Sequence, residues 1–231
     1  MSFSLTDEQS MIQSAARDFA MNEVLPIANE YDPERRDIPQ SLLAKLSEMG
    51  FFGITIPQEY GGLGLGCLEY CLVTEELSRA WMSVSSIIRP MLGYQAMTEA
   101  QKRTYLPKMA TGEMLFAFSM SEPGTGSDIS GLSTRAKRDG DDWLITGNKY
   151  WCTNADGSDA ILVLARTEPV DRAKPHQGIS AFVVEKPRGE LPQGCAGAPI
   201  PKIGYFGWKT WGLALDQCRV PHAQSPTSWI I

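Results

Sequence analysis

Hydrophobic positions along this chain keep two different periods. From Thr6 onward they recur at helical spacing: Met11, Ile12, Ala15, Ala16, Phe19 and Ala20 fall on one face of a helix. Thr6-Asp7-Glu8-Gln9 opens that helix as a capping box, in which the threonine hydroxyl and the glutamine amide satisfy each other's orphan N–H groups. Val24 and Ile27 continue the face, and Pro26 is expected to end or kink it. Pro39-Gln40-Ser41 starts a second helix carrying Leu42, Leu43 and Leu46, with Gly50 as its C′ residue. A third covers Cys67–Ser78, with Leu68, Cys71, Leu72 and Glu75 on successive turns. A fourth is expected over Ser83–Ala96, kinked at Pro90. Thr98-Glu99-Ala100-Gln101 is a second capping box, opening a fifth helix that Pro107 is expected to stop.

After Gly112 the period changes to that of strands. Strands are expected over Phe116–Ser121, Ser133–Arg138, Trp143–Cys152, Ala160–Arg166, Ile179–Lys186 and Leu213–Val220. Asp139-Gly140 is a hairpin-type turn. Ile161-Leu162-Val163-Leu164 is apolar on both faces, which suits the inside of a barrel or sandwich. The Pro- and Gly-rich stretch from Pro187 to Gly204 has little periodicity and is expected to be a long loop. The fold class is therefore α+β as a multidomain chain. An all-α domain over residues 1–113 precedes a small β-barrel or sandwich over 114–223, and 224–231 starts something further.

Composition narrows the function classes. The chain has 231 residues, 43% of them hydrophobic, which is enough for two cores. A net charge of −6 is a poor basis for nucleic-acid binding. No apolar run approaches the length that spans a bilayer, and the acidic N-terminus has no basic n-region of a targeting peptide. Five cysteines, odd in number and without C-x-x-C, favour reduced, buried thiols in a cytoplasmic protein over a disulfide framework or a zinc site. Two histidines, His176 and His222, offer little for a Ser-His-Asp triad or a metal cluster. Phe52–Ile56 followed by Gly61-Gly62-Leu63-Gly64-Leu65-Gly66 mimics a dinucleotide fold. Its spacing is G-x-G-x-G, however, and no βαβ pattern follows, so it is taken as a loop between helices.

Candidate chemistry gathers in two stretches. In Phe116–Asp128 an apolar run breaks at Pro123 and enters a loop with two glycines and two hydroxyl residues. Such a loop can present backbone N–H groups to an anion, although alone it is an ordinary turn. In Lys149-Tyr150-Trp151-Cys152-Thr153-Asn154, an indole and a hydroxyl stand on alternate residues, so in a regular strand Trp151 and Thr153 face one way.

Taken whole, Met120-Ser121-Glu122-Pro123-Gly124-Thr125-Gly126-Ser127-Asp128-Ile129-Ser130-Gly131 resembles the first signature of the acyl-CoA dehydrogenase family. Trp151-Cys152-Thr153-Asn154 resembles its Trp-x-Thr-Asn segment. Ile56–Gly64, Glu75–Arg79, Thr98–Lys102 with Tyr105-Leu106-Pro107, Gly178–Lys186 and Val220-Pro221 resemble further family segments in order, from about Leu5 to Pro221. Thr125 stands where the family usually has a small residue, and Ser119 where it often has Cys, Ala or Gly.

The resemblance implies FAD as cofactor and oxidation of an acyl-CoA thioester to trans-2-enoyl-CoA. It implies that Phe118, Met120, Ser121, Gly126, Ser127, Trp151 and Thr153 contact the cofactor. Met120 and Ser121 would meet the flavin's pyrimidine edge, Trp151 its face, and Thr153 the neighbourhood of N5. Gly126 and Ser127 would lie by the phosphates, with Ser127 also meeting acyl-CoA. It implies an electron-transfer flavoprotein as partner and a homo-oligomer for the full-length form. Family members continue past Val-Pro into a second helical domain that carries the proton-abstracting glutamate and part of the FAD site. This chain stops at Thr227-Ser228-Trp229-Ile230-Ile231, so it is expected to be truncated and to lack its catalytic base. Glu122 matches a structural position and is not assigned as that base. Tyr94, Met91 and Met97 are candidates for an acyl pocket or for core, and Lys202-Ile203-Gly204-Tyr205 looks like a variant of branched- or dicarboxyl-acyl members. Two other readings stay open: a non-catalytic flavin-, acyl-CoA- or partner-binding module, and an oxygen-using relative on the same fold.

Overall fold

The computed structural model describes residues 4–89 and 93–224. Pro90, Met91 and the tail 225–231, with Trp229-Ile230-Ile231, lie outside the described residues. The chain divides into two compact units. One comprises residues up to 90, with 103–113 and 202–208; the other comprises 91–102, 114–201 and 209 onward.

The helices lie mostly in the first unit; residues 94–102, which include the first turn of the last helix, belong to the second. α1 (Asp7–Phe19) has the capping box expected at Thr6, with both reciprocal bonds to Gln9 formed. Pro26 neither ends nor breaks the run. Ala20–Val24 widens into a π-helical turn, and α2 (Leu25–Tyr31) follows with the proline in its first turn, where no N–H is needed. α3 (Gln40–Glu48) buries Leu42, Leu43 and Leu46 and ends at Gly50, whose φ of 70° is left-handed. The glycine stretch after Phe52 is a loop with short 3-10 turns and no strand. An added Cβ on Gly62 would sit 2.0 Å from the Ile56 carbonyl oxygen, so backbone packing explains that glycine without any phosphate.

α4 (Cys67–Ile87) corrects two expectations. Its buried face is Leu72, Val73, Glu76 and Leu77, one residue on from the expected stripe, which leaves Leu68, Cys67 and Cys71 exposed. It runs through to Ile87 with one extended residue, Trp81, and does not reach Ala96, where a separate 3-10 turn (Tyr94–Ala96) stands. Tyr94 and Met97 are buried. α5 (Glu99–Ala110) contains Pro107 and continues past it to Ala110, so the helix stops within a turn after the proline and not at it. Its capping box at Thr98 and Gln101 forms as expected. The 202–208 segment belongs to this unit. Trp208 Nε1 donates to the Ser83 carbonyl at 2.8 Å, and Ile38 N donates to the Gly207 carbonyl at 3.0 Å.

The second unit is a mixed seven-stranded sheet curled into a half-barrel. Its strands are β1 (Phe116–Ser119), β2 (Arg135–Asp139), β3 (Asp142–Thr153), β4 (Ala160–Arg166), β5 (Ile179–Glu185), β6 (Cys195–Pro199) and β7 (Thr210–Val220). β4 is central and wholly buried, as its apolar run requires. One edge of β4 takes β1 and then β2 in parallel, and the other takes β5 antiparallel. β2 and β3 form the expected hairpin, with Gly140 left-handed at φ 63°. β3 pairs along its length with β7, and β7 with β6. The stretch expected as one loop therefore contains β6, a short, mostly exposed edge strand whose Cys-Ala-Gly-Ala-Pro sequence carries no strand pattern. Ala117, Ile145, Cys152, Val163, Phe182, Leu213 and Cys218 share one core.

Candidate functional site

β1 delivers the chain to the loop. Ala117 and Ser119 face inward on it, while Phe118 and then Met120 and Ser121 are half-buried. At Pro123 the chain turns back: Glu122 N donates to the Thr125 carbonyl at 2.7 Å, and Thr125 N to the Glu122 carbonyl at 3.1 Å. Gly124 and Gly126 are open, since an added Cβ on either would meet nothing within 4 Å. Ser127 is exposed in the same turn. Thr125 packs its hydroxyl against Gly131, where a Cβ would sit 2.7 Å from it, so the unusual threonine fills the inside of the loop.

The second stretch meets the first through one bond. Tyr150 N donates to the Ser121 carbonyl at 2.8 Å, which fixes Ser121 beside Trp151. β3 does not stay regular there. Its register against β7 shifts between Lys149 and Cys152, and Trp151 adopts φ 63°. This bulge breaks the simple alternation on which the shared facing of Trp151 and Thr153 rested. Trp151 is 56% exposed, Cys152 is fully buried, and Thr153 is half-buried with its hydroxyl 3.3 Å from that of Thr210. A tryptophan held left-handed carries strain of order 1–3 kcal/mol, which points to a constraint other than packing. Gly126 and Ser127 stand apart: no hydrogen bond among the described residues joins them to Trp151 or Thr153.

A buried ion pair that the motif alone does not reveal holds the loop. Lys149 is fully buried, and its Nζ lies 3.0 Å from both the Met120 carbonyl and Glu122 Oε1. Glu122 also accepts from Ser133 N at 2.8 Å, Ser133 Oγ at 2.6 Å and Thr134 N at 2.9 Å. Burial pushes its carboxyl up, but the donors on Ser133 and Thr134 outweigh that and bring it down to about 2. Burial pulls the Lys149 ammonium below the usual lysine range, and Glu122 partly offsets this. A glutamate beside a turn is ordinarily solvated; this one is buried and latches the loop. One signal was legible: Ile145 and Lys149 share strand parity, so a lysine on an inward face demands a buried carboxylate.

Two family models match the chain: the acyl-CoA dehydrogenase N-terminal domain over residues 6–113 and the middle domain over 117–218. The chain belongs to the acyl-CoA dehydrogenase family. Among proteins similar to this acyl-CoA dehydrogenase family member, (2S)-methylsuccinyl-CoA dehydrogenase of Cereibacter sphaeroides is 39% identical over 94% of this chain and 41% of its own length. Glutaryl-CoA dehydrogenase of Desulfococcus multivorans is 36% identical over 96% of this chain and 57% of its own. Butyryl-CoA dehydrogenase of Megasphaera elsdenii superposes with a TM-score of 0.86 at 30% identity, covering 99% of this chain and 60% of that one. The chain thus spans about half the length of the relatives it matches.

The donor set fits a flavin. An exposed indole offers a face for a flat ring, a fixed backbone segment at Met120–Ser121 offers an edge, and the open glycine turn leaves room for phosphates. No group of metal-ligating residues forms, and no helix is long and apolar enough to cross a membrane, among the described residues.

Proposed function

We propose that this chain supplies the flavin- and acyl-CoA-binding part of an FAD-dependent dehydrogenase that oxidises an acyl-CoA thioester to the trans-2-enoyl-CoA. The observation that carries the reading is the Tyr150–Ser121 bond, which holds the glycine loop beside a strained, exposed Trp151. FAD, when bound, supplies the hydride acceptor. Phe118, Met120 and Ser121 would hold the flavin's polar edge, Trp151 would cover its face, and the Thr153 hydroxyl would lie against it. Gly126 and Ser127 would receive phosphates, and Ser127 the acyl-CoA.

Backbone donors at Met120 and Ser121 would favour the charge that gathers on the reduced ring. Removal of the α proton needs a base with an accessible lone pair and a pKa near the operating pH. Glu122, held at about 2 and saturated with donors, cannot serve, and none is assigned in this chain. The methylsuccinyl- and glutaryl-CoA relatives favour a branched or dicarboxylic acyl group. Lys202, which braces its loop by bonding the Tyr205 and Trp208 carbonyls at 2.7 and 2.8 Å, belongs to the segment that resembles such members. An electron-transfer flavoprotein is the expected acceptor, a homo-oligomer the expected assembly of the longer form, and a reducing cytoplasm fits the free cysteines.

Size-exclusion chromatography after incubation with FAD tests the reading. Flavin is expected to co-elute with a discrete protein peak, and Trp151→Ala is expected to lose it while remaining folded. Flavin eluting apart from folded wild-type protein would overturn the proposal.

A further inference from the structure

Arg166 closes β4, and its buried guanidinium forms no ion pair with a carboxylate among the described residues. Nε donates to the Leu132 carbonyl at 2.9 Å and Nη1 to the Gln177 carbonyl at 3.1 Å. Nη2 donates to the Ser130 carbonyl at 2.7 Å and the Pro175 carbonyl at 2.8 Å. Two of these carbonyls follow the glycine loop directly; the other two belong to the loop between β4 and β5. The Arg166 backbone N–H also donates to the Thr134 carbonyl at 2.8 Å, and Thr134 N is one of the donors to Glu122. One residue therefore ties together Ser130, Leu132 and Thr134, which form the return arm of the loop that begins at Met120.

Asp128 lies within the same arm. Its carboxylate accepts from Ser130 N at 3.0 Å; the Ser130 hydroxyl and then this N–H hold it below the usual range, and His176 on the facing loop adds a smaller pull. The two loops thus face each other across the guanidinium. A cation satisfied only by carbonyls gains less than one with a counter-ion. Its planar fork, however, sets the direction of every carbonyl it binds.

We propose that Arg166 is a positioning residue: it locks the return arm of the Met120–Gly131 loop to the Pro175–Gln177 loop and so fixes where Gly126 and Ser127 stand. Its bearing on cofactor binding rests on the flavin reading above. The locking does not.

The test uses the whole chain, with Arg166→Met and Arg166→Lys. Hydrogen exchange is followed at residues 128–132, at 175–178 and along the β3–β7 ladder, and FAD affinity is titrated on the same samples. In Arg166→Met both loops should lose protection together by about tenfold or more while the ladder keeps its own. FAD affinity should fall about tenfold, equivalent to about 1.4 kcal/mol. Arg166→Lys, with a charge but no fork, should fall between wild type and Met in both readouts. If Arg166→Met does not fold, Arg166→Lys alone gives the decisive pattern. Protection lost in one loop only, or lost evenly with the ladder, overturns the proposal. So does joint loosening with FAD affinity unchanged. Wild-type protein that binds no FAD would sink the flavin reading, while the exchange pattern would still decide the lock.

Discussion

Removing either half of the Glu122–Lys149 pair should destabilise the chain, but unequally. Lys149→Met takes away the ammonium and keeps similar bulk. Glu122 then keeps its three bonds from Ser133 and Thr134 but loses the ammonium at Oε1 and with it the counter-charge, and the Met120 carbonyl loses its donor. Those are two acceptors left short, one of them a carboxylate still held by three donors, about 2–3 kcal/mol together. Glu122→Gln leaves a fully buried ammonium without a counter-charge, and turns an amide NH2 toward either the ammonium or the Ser133 and Thr134 donors. The expected loss is about 3–5 kcal/mol. The double variant removes both charges, so its loss should fall short of the sum of the singles by at least about 1 kcal/mol. Urea unfolding near neutral pH, followed by tryptophan fluorescence on all four proteins, reads these differences. Additive losses, or a Lys149→Met more damaging than Glu122→Gln, would refute the latch.

The same carboxylate makes acid stability testable. Its folded pKa of about 2 lies below the ordinary 4.5, so its contribution is fully present above pH 4.5 and is lost as pH falls through about 2. At about 1.4 kcal/mol per unit this amounts to about 3 kcal/mol. Glu122→Gln should flatten that acid limb in urea midpoints measured from pH 6 down to pH 3, and an unchanged limb would show that other groups cause it. Ser119→Ala should stabilise by about 1 kcal/mol, because the Ser119 hydroxyl is buried with no hydrogen-bond partner among the described residues; a loss of stability would contradict this. Gly62→Ala should cost at least about 2 kcal/mol in the helical unit, since the new Cβ would overlap the Ile56 carbonyl. Wild-type stability in Gly62→Ala would mean that this loop moves freely.

Helices and strands were legible wherever local chemistry decides them. Both capping boxes, the Gly50 stop and the Gly140 hairpin have partners within a few residues, and each forms as the sequence predicts; β4 forms where its own run of apolar residues marks a strand buried on both faces. Misreadings cluster where tertiary packing overrides a local rule. Pro26 sits inside a continuous helical run because the first turn of α2 tolerates a missing N–H, and Pro107 lies one turn from the end of α5, so the expected stop falls three residues late. The buried face of α4 turns toward Glu76, which α1 meets with Arg17 at 2.7 Å, and no hydrophobic count would have selected a glutamate. β6 owes its existence to β7, its partner, and not to its own residues.

The site divides along the same line. Residues contiguous with the glycine loop could be named from the chain. Lys149 was half-legible, because a lysine at an inward strand position must find an anion. Arg166 was not, and the reason lies in its partners. Ser130, Leu132, Pro175 and Gln177 each contribute a backbone carbonyl, and any other residue in those places would contribute the same. Lys186 repeats the pattern, bonding the carbonyls of Asp156 and Pro187 at 2.9 and 3.2 Å, and that of Ser158. Cations held by carbonyls leave no complementary side chain in the sequence. They also leave the loops they orient free to vary in side chain, so a site built this way can keep its backbone geometry while the residues facing a ligand change.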